Sequence, residues 1–172
     1  MSTRTLVPLE EYLHTSYSPD VDYVEGELQE RNMGEYDHAA IQMALGRWFS
    51  AHREDWGIKV LPELRLQTDP MRFRVPDIMV MRRDAPKEQI ITHPPLIAIE
   101  ILSPEDRYGR MEDKINEYLA MGIENVWVID PKTQVGFSCT SGSPQGWTKA
   151  EVLTVQDSPI ILGLRELFAE LD

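Results

Sequence analysis

The sequence predicts an α/β (α+β) fold in which helices flank a central mixed β-sheet and extra β-hairpins extend it. The central segment runs in the order helix, strand, strand, strand, helix, strand. Within it, 96–130 has the pattern strand, helix, strand, which favours neighbouring parallel strands joined by a right-handed crossover. The length of 172 residues fits one domain with a hydrophobic core. We therefore expect a single domain over 1–172, with an N-terminal extension at 1–19.

Hydrophobic periodicity places the individual elements. Apolar residues three and four positions apart predict amphipathic helices at 37–55, with Asp37 as the N-cap, and at 105–122, with Gly122 as the C-cap. Apolar runs of strand length predict the strands between and after these helices. The expected elements are a short helix at 9–14, a hairpin at 21–31, strands at 58–68, 75–83, 96–102 and 125–130, a second hairpin from 134–141 and 147–155, and a terminal helix at 164–172.

Composition limits the classes of function. The net charge of −12, from 17 Lys+Arg against 29 Asp+Glu, argues against a protein whose whole surface binds nucleic acid. Arginines clustered at 71–74, 81–83 and 107–110 leave a local basic patch open. The single cysteine, Cys139, excludes an intrachain disulfide framework and a Cys-based zinc site. No apolar run approaches about 20 residues and no secretory h-region is present, so we expect a cytoplasmic protein.

A carboxylate interrupts the apolar run LIAIEIL at 96–102. Side chains on a strand alternate between its faces, so the three isoleucines share a core face and Glu100 lies on the other. Asp77 opens a neighbouring predicted strand, and two adjacent carboxylates repel each other unless one keeps its proton or a divalent cation lies between them. Mg²⁺ suits such a pair because it prefers oxygen ligands and often binds only one or two protein carboxylates.

A series of motifs places these residues in a wider pattern. The motifs are YVEGEL at 23–28, DH at 37–38, VPDIMV at 75–80, IEILSP at 99–104, DKINEYLAMGIENVWVIDP at 113–131 and LRELF at 164–168. Together they resemble the Uma2 family of the PD-(D/E)XK restriction-endonuclease-like superfamily, roughly over 20–170. The resemblance implies a restriction-endonuclease-like core and a metal-dependent nuclease, with Mg²⁺ or Mn²⁺ as cofactor and DNA as substrate.

The resemblance also implies a displaced catalytic lysine. In the superfamily pattern a lysine stands two residues after the glutamate, but Leu102 occupies that position here, and Lys114 of the following helix would replace it. Asp77 and Glu100, with the Ile101 carbonyl, would hold the metal. Lys114 would polarise the scissile phosphate or lower the pKa of the attacking water.

Three further residues are candidates. Glu27 and His38 match recurrent polar positions of the family. Glu27 could be another carboxylate near the metal, and His38 could bind metal, act as a base or contact a phosphate, because an imidazole titrates near neutrality. Tyr118 follows Lys114 by one helical turn and could touch the same pocket.

Structural interpretations of these residues stay open. Asp77 could satisfy turn N–H groups, and Glu100 with Lys114 could form a buried ion pair without metal. Glu27 could be an ordinary hairpin charge, and His38 a helix-start residue on the surface.

Other functions and a dimer also stay open. The fold also permits a catalytically inactive binding module or a hydrolase of a small phosphorylated substrate. Nucleases of this fold often pair, and Trp127, Phe137 and Trp147 could support a homodimer contact or simply pack in the core.

Overall fold

Strands from the predicted apolar runs form a central mixed sheet with helices on its faces, which confirms the fold class. The computed structural model describes residues 5–31, 34–104, 106, 108–140 and 146–172, without the side chain of Tyr108. Its helices are α1 (Leu9–Leu13), α2 (Tyr36–Ala51), α3 (Arg53–Trp56), α4 (Tyr108–Met121) and α5 (Leu164–Phe168), followed by a 3₁₀ turn at Ala169–Leu171. Its strands are β1 (Val21–Val24), β2 (Glu27–Glu30), β3 (Ile58–Pro62), β4 (Leu66–Asp69), β5 (Arg72–Arg74), β6 (Ile78–Arg82), β7 (Ile97–Ile101), β8 (Asn125–Asp130), β9 (Val135–Cys139), β10 (Trp147–Ala150), β11 (Val152–Thr154) and β12 (Ile161–Gly163).

The central sheet has the strand order β10-β9-β8-β7-β6-β3. Strands β7 and β8 pair in parallel, as predicted for the strand–helix–strand unit, and the other neighbours are antiparallel. Ile97, Ile99 and Ile101 pack in the hydrophobic cluster beneath α2 and α5. Ala98 belongs to the opposite cluster, beneath α4, so Glu100 emerges on the α4 side of the sheet.

A second sheet has the order β2-β1-β5-β4. Helix α1 packs on it through Tyr12, whose ring stacks on Tyr23 at 4.8 Å between centroids and lies 5.5 Å from Phe73. This aromatic cluster anchors the short helix, because five residues could not hold a helical conformation alone. A two-stranded sheet of β11 and β12 completes the strands in the described part of the chain.

Several predicted boundaries are wrong. Asp37 is not the N-cap of α2: Glu35 occupies that position, and Asp37 lies in the first turn, where its charge still favours the helix dipole. The predicted strand at 58–68 is two strands in different sheets, because β3 ends at Pro62 and Glu63 turns the chain with φ 50°. The predicted strand at 147–155 likewise divides into β10 and β11. Gly122 does cap α4, with φ 103° and its N–H bonded to the Leu119 carbonyl.

The aromatic residues proposed for a homodimer contact have different environments. Trp127 is buried in the core cluster beneath α2, so it offers no contact surface. Phe137 and Trp147 are half-buried and lie 5.6 Å apart between ring centroids. Dimerisation stays a prediction. Within the described residues, no helix has the length and apolar character needed to cross a membrane.

Candidate active site

The C-terminal end of β7 opens into a cleft of about 750 Å³. One wall comes from β1 and β2 of the second sheet, and the others from the first turns of α2 and α4. Most of the predicted site residues line this cleft, which brings together segments distant in the sequence. They are His38, Asp77, Glu100, Ile101 and Lys114.

Asp77 lies just before β6 and is 3% exposed. Its Oδ1 accepts a hydrogen bond from Arg31 Nη2 at 2.6 Å and lies 3.2 Å from His38 Nε2, and its Oδ2 accepts the Ile101 N–H at 2.7 Å. Burial alone would raise the pKa of Asp77, but His38, and then Arg31 and the Ile101 N–H, outweigh it and hold that pKa below its usual value. Asp77 is therefore a carboxylate at neutral pH, and it ties β6 to the end of β7.

His38 belongs to the first turns of α2 and points at the same carboxylate. Burial alone would lower the pKa of His38, but the hydrogen bond and the negative charge of Asp77 raise it overall. The side chain is largely enclosed yet lines the cleft. His38 is thus placed to bring positive charge to the cleft beside Asp77.

Glu100 is the buried charge of the β7 strand, with 2% of its surface exposed. Its Oε1 accepts a hydrogen bond from the Tyr118 hydroxyl at 2.5 Å, and its Oε2 lies 3.8 Å from Lys114 Nζ. Burial raises the pKa of Glu100, Lys114 offsets part of that effect, and the charge of Asp77 adds to it, so the pKa rises to about 7. The repulsion predicted between two adjacent carboxylates is thus relieved at Glu100, which keeps its proton up to neutral pH.

Lys114 reaches the same end of the sheet from α4. Its Nζ lies 3.4 Å from Asp22 Oδ2, closer than to Glu100, and 16% of the side chain is exposed. Burial alone would lower the pKa of Lys114, but the charges of Glu100 and Asp22 raise it overall. Lys114 therefore stays an ammonium ion beside Glu100. Its catalytic role stays a prediction.

Tyr118 and Glu27 have different positions. Tyr118 is fully buried and contacts Glu100 from behind the cleft, so it does not line the cavity itself. Glu27 begins β2 and is absent from the cleft lining, whereas Gln29, on the same strand face, lines it. The proposed catalytic role of Glu27 stays a prediction.

Sequence reasoning missed a buried ionic network behind Lys114. Asp22 on β1 accepts the Val75 N–H at 3.1 Å and lies 3.3 Å from Arg74 Nη1. Arg74 donates two hydrogen bonds to Glu117 of α4, at 2.7 and 2.5 Å. A signal was present: Asp22 interrupts the apolar stretch VDYV on β1, just as Glu100 interrupts β7.

The donor set fits an oxygen-preferring dication such as Mg²⁺. Asp77 and Glu100 are two buried carboxylates lining one cleft, and the negative charge of one raises the pKa of the other. Mg²⁺ often binds only one or two protein carboxylates and keeps several waters. Among the described residues no group of three or more His, Cys, Asp and Glu side chains could hold a metal. A metal on Asp77 would compete with Arg31 and His38 for Oδ1.

Comparison with known proteins shows the family of the chain. A family model described as "Uma2: Putative restriction endonuclease" matches residues 9–171. The chain belongs to the Uma2 family. The resemblance inferred from the motifs is confirmed, and the match begins within α1 rather than after the N-terminal extension.

A solved structure supports the same conclusion for the fold of this Uma2 protein. A protein of Anabaena variabilis, described as "a putative nuclease belonging to DUF820", is 25% identical, with a TM-score of 0.82 over 96% of this chain and 99% of that chain. A DrdV–DNA complex is 15% identical with a TM-score of 0.40, covering 76% of this chain and 11% of that chain, which is too distant to support an argument. The search of curated proteins gives no match.

Proposed function

We propose that this Uma2 protein is an endonuclease that hydrolyses phosphodiester bonds of DNA and depends on Mg²⁺ or Mn²⁺. The observation that carries the proposal is the meeting of Asp77, Glu100 and Lys114 in one cleft, although they come from three separate elements. Glu100 adds weight, because burying an acid beside Asp77 costs folding free energy, and such costs are typical of functional sites. The family description points to the same class of enzyme.

The reaction would form one bond between a water oxygen and phosphorus and break one P–O bond of the DNA backbone. The water loses a proton and the leaving oxygen gains one. Lys114 is suited to neutralise the charge that develops on the phosphate oxygens. Glu100, whose pKa is about 7 in the absence of a metal, can lose its proton near neutral pH and so become a carboxylate ligand.

The charge of the cleft supports the dependence on a divalent cation. Its lining has more acidic side chains than basic ones, so an incoming phosphate meets net negative charge. The acids are Asp20, Asp22, Glu30, Glu63, Asp77, Glu100 and Asp106, against Arg31, Arg110, Lys114 and a titrating His38. Asp77, Glu100 and the Ile101 carbonyl would hold Mg²⁺, which would supply positive charge at the phosphate and activate water.

A plasmid cleavage assay tests the proposal. Supercoiled DNA is incubated with purified protein in EDTA, Mg²⁺ or Mn²⁺, and the variants Asp77→Asn and Lys114→Met are compared with wild type. We expect cleavage only with a divalent cation and a loss of about a hundredfold or more in each variant. Lys132→Met, at an exposed lysine outside the cleft, is the matched control and should cleave like wild type. Equal cleavage by all variants would contradict the proposal.

A second candidate is a binding module that keeps the nuclease fold without catalysis. The observation in its favour is that three groups of the protein already contact the Asp77 carboxylate: Arg31, His38 and the Ile101 N–H. A metal ion would have to compete with them. Titration calorimetry with Mn²⁺ separates the candidates. No heat of binding, together with no cleavage, would select the module. Binding that is lost in Glu100→Gln would select the nuclease.

A further inference from the structure

We propose that Asp22 is a positioning residue for Lys114: its carboxylate holds the ammonium group beside Glu100 and fixes the backbone segment that leads to Asp77. The inference rests on the proposed function, because it concerns the lysine assigned to catalysis. Asp22 lies on β1, in the second sheet, far in sequence from every motif residue that it touches.

The first step is the contact between Asp22 and Lys114. A lysine on a strand two residues after the glutamate would be oriented by the strand itself, whereas Lys114 extends from a helix on a flexible stem. Fixing such a side chain costs rotamer entropy, so it needs a partner. Asp22 Oδ2 is that partner at 3.4 Å, nearer than Glu100 Oε2 at 3.8 Å. Asp22 is only 1% exposed, so water competes little with this contact.

The second step is the other oxygen of the same carboxylate. Asp22 Oδ1 accepts the Val75 N–H at 3.1 Å, and Val75 is itself buried two residues before Asp77. One rigid side chain therefore connects Lys114 to the segment that leads into Asp77. A displacement of Asp22 would alter the distance between the two cleft residues.

The third step is the support behind Asp22. Arg74 Nη1 lies 3.3 Å from Asp22 Oδ2, and its other nitrogens bind Glu117, which follows Lys114 by three residues on α4. The charges alternate from Lys114 through Asp22 and Arg74 to Glu117, so the buried groups compensate one another. Arg74 fixes Asp22 from one side, and Glu117 compensates the charge of Arg74 without touching Asp22 or Lys114.

Glu117 supplies the matched control. It belongs to the same network and the same helix as Lys114, but its hydrogen bonds go to Thr68, Arg72 and Arg74. A purely structural role for Asp22, as a counter-charge for Arg74, predicts that Asp22→Asn and Glu117→Gln behave alike. A positioning role predicts that they differ at Lys114.

Two measurements on the full chain separate these cases. In cleavage kinetics, Asp22→Asn should lower kcat about tenfold or more with little change in KM, and Glu117→Gln should keep kcat within about threefold.

In NMR of protein labelled at lysine Cε, the five lysines give few signals, and Lys114→Met identifies the one from Lys114. That signal should move toward those of the exposed lysines in Asp22→Asn and stay in place in Glu117→Gln.

Three results would overturn the inference: an unmoved Lys114 signal in folded Asp22→Asn, a wild-type kcat in that variant, or an equal loss of kcat in Glu117→Gln. If Asp22→Asn does not fold, Asp22→Glu keeps the charge and shifts the carboxylate by one methylene. It should displace the Lys114 signal, and an unchanged signal counts against the inference. If wild type cleaves no DNA, the proposed function fails, and the NMR comparison still decides the role of Asp22.

Discussion

Replacing Glu100 with glutamine should remove a large part of the pH dependence of unfolding. Burial and the charge of Asp77 raise the pKa of Glu100 from 4.5 to about 7 in the folded protein. The folded state therefore binds this proton more tightly than the unfolded chain does. The resulting stability is fully present below pH 4.5 and is lost as the pH rises through about 7. Glutamine has nearly the same shape and no such proton.

The magnitude follows from the size of the rise in pKa. Each pH unit over which only the folded state holds the proton changes the free energy of unfolding by about 1.4 kcal/mol. The whole effect is therefore about 3 kcal/mol, of which about 2 kcal/mol falls between about pH 5.5 and pH 8. His38 contributes with the same sign, because its pKa is also raised, but it is present in both proteins and largely cancels in the comparison.

Urea unfolding at about pH 5.5 and pH 8, followed by tryptophan fluorescence, measures the difference. Wild type should lose about 2 kcal/mol more than Glu100→Gln between the two conditions. Glu88→Gln is the control, since the pKa of Glu88 is lowered by its bonds to Thr92 and it lies outside the cleft. Parallel pH profiles for wild type and Glu100→Gln would refute the idea that Asp77 and burial hold a proton on Glu100.

Three other substitutions test the packing and the network. Arg74→Met should lower the free energy of unfolding by about 3–5 kcal/mol in urea, because it leaves Asp22 and Glu117 without their shared cation. Tyr118→Phe should lower the free energy of unfolding by about 1–2 kcal/mol, because it removes a buried hydrogen bond. It should also raise the pKa of Glu100 further, as measured by carboxyl NMR, because in wild type this hydrogen bond stabilises the ionised form of Glu100. Gly136→Ala should lower the unfolding free energy by about 1–3 kcal/mol, because the new methyl group would collide with Leu164. Gly109→Ala, with open space around it in α4, is the control and should not destabilise the protein.

Local patterns in the sequence predict the centre of the fold well. The alternation in β7 separates the isoleucines of the core from Glu100, because a strand side chain can point to only one of two faces. Helical spacing places Lys114 and Tyr118 on one side of α4, and both contact Glu100. These features depend on residues near one another in the chain, where backbone geometry alone fixes the relation.

Partners distant in the sequence could not be predicted in the same way. Asp22 and Arg74 are 52 residues apart, and Arg31 and Asp77 are 46 apart. The interrupted apolar run VDYV marks Asp22 as unusual but does not say which cation it meets. The break at Glu63 is hard to predict for a related reason. Residues 58–68 alternate well enough for one strand, and a sequence does not show the positive φ of Glu63 that lies between β3 and β4.

The proposed displacement of the catalytic lysine from β7 to α4 would give the second sheet a place in the site. A lysine two residues after Glu100 would have needed only β7 to orient it, but Leu102 packs with the apolar cluster beneath α4 instead. A catalytic lysine on α4 would need a fixed anion opposite the helix, and we propose that Asp22 of β1, 3.4 Å from Lys114 Nζ, is that anion. Arg74 of β5 then compensates Asp22, and α1 supports β1 and β5 through the cluster of Tyr12, Tyr23 and Phe73. On this proposal the hairpins outside the central sheet help to hold Lys114 beside Glu100, because β1 carries Asp22 and β5 carries Arg74.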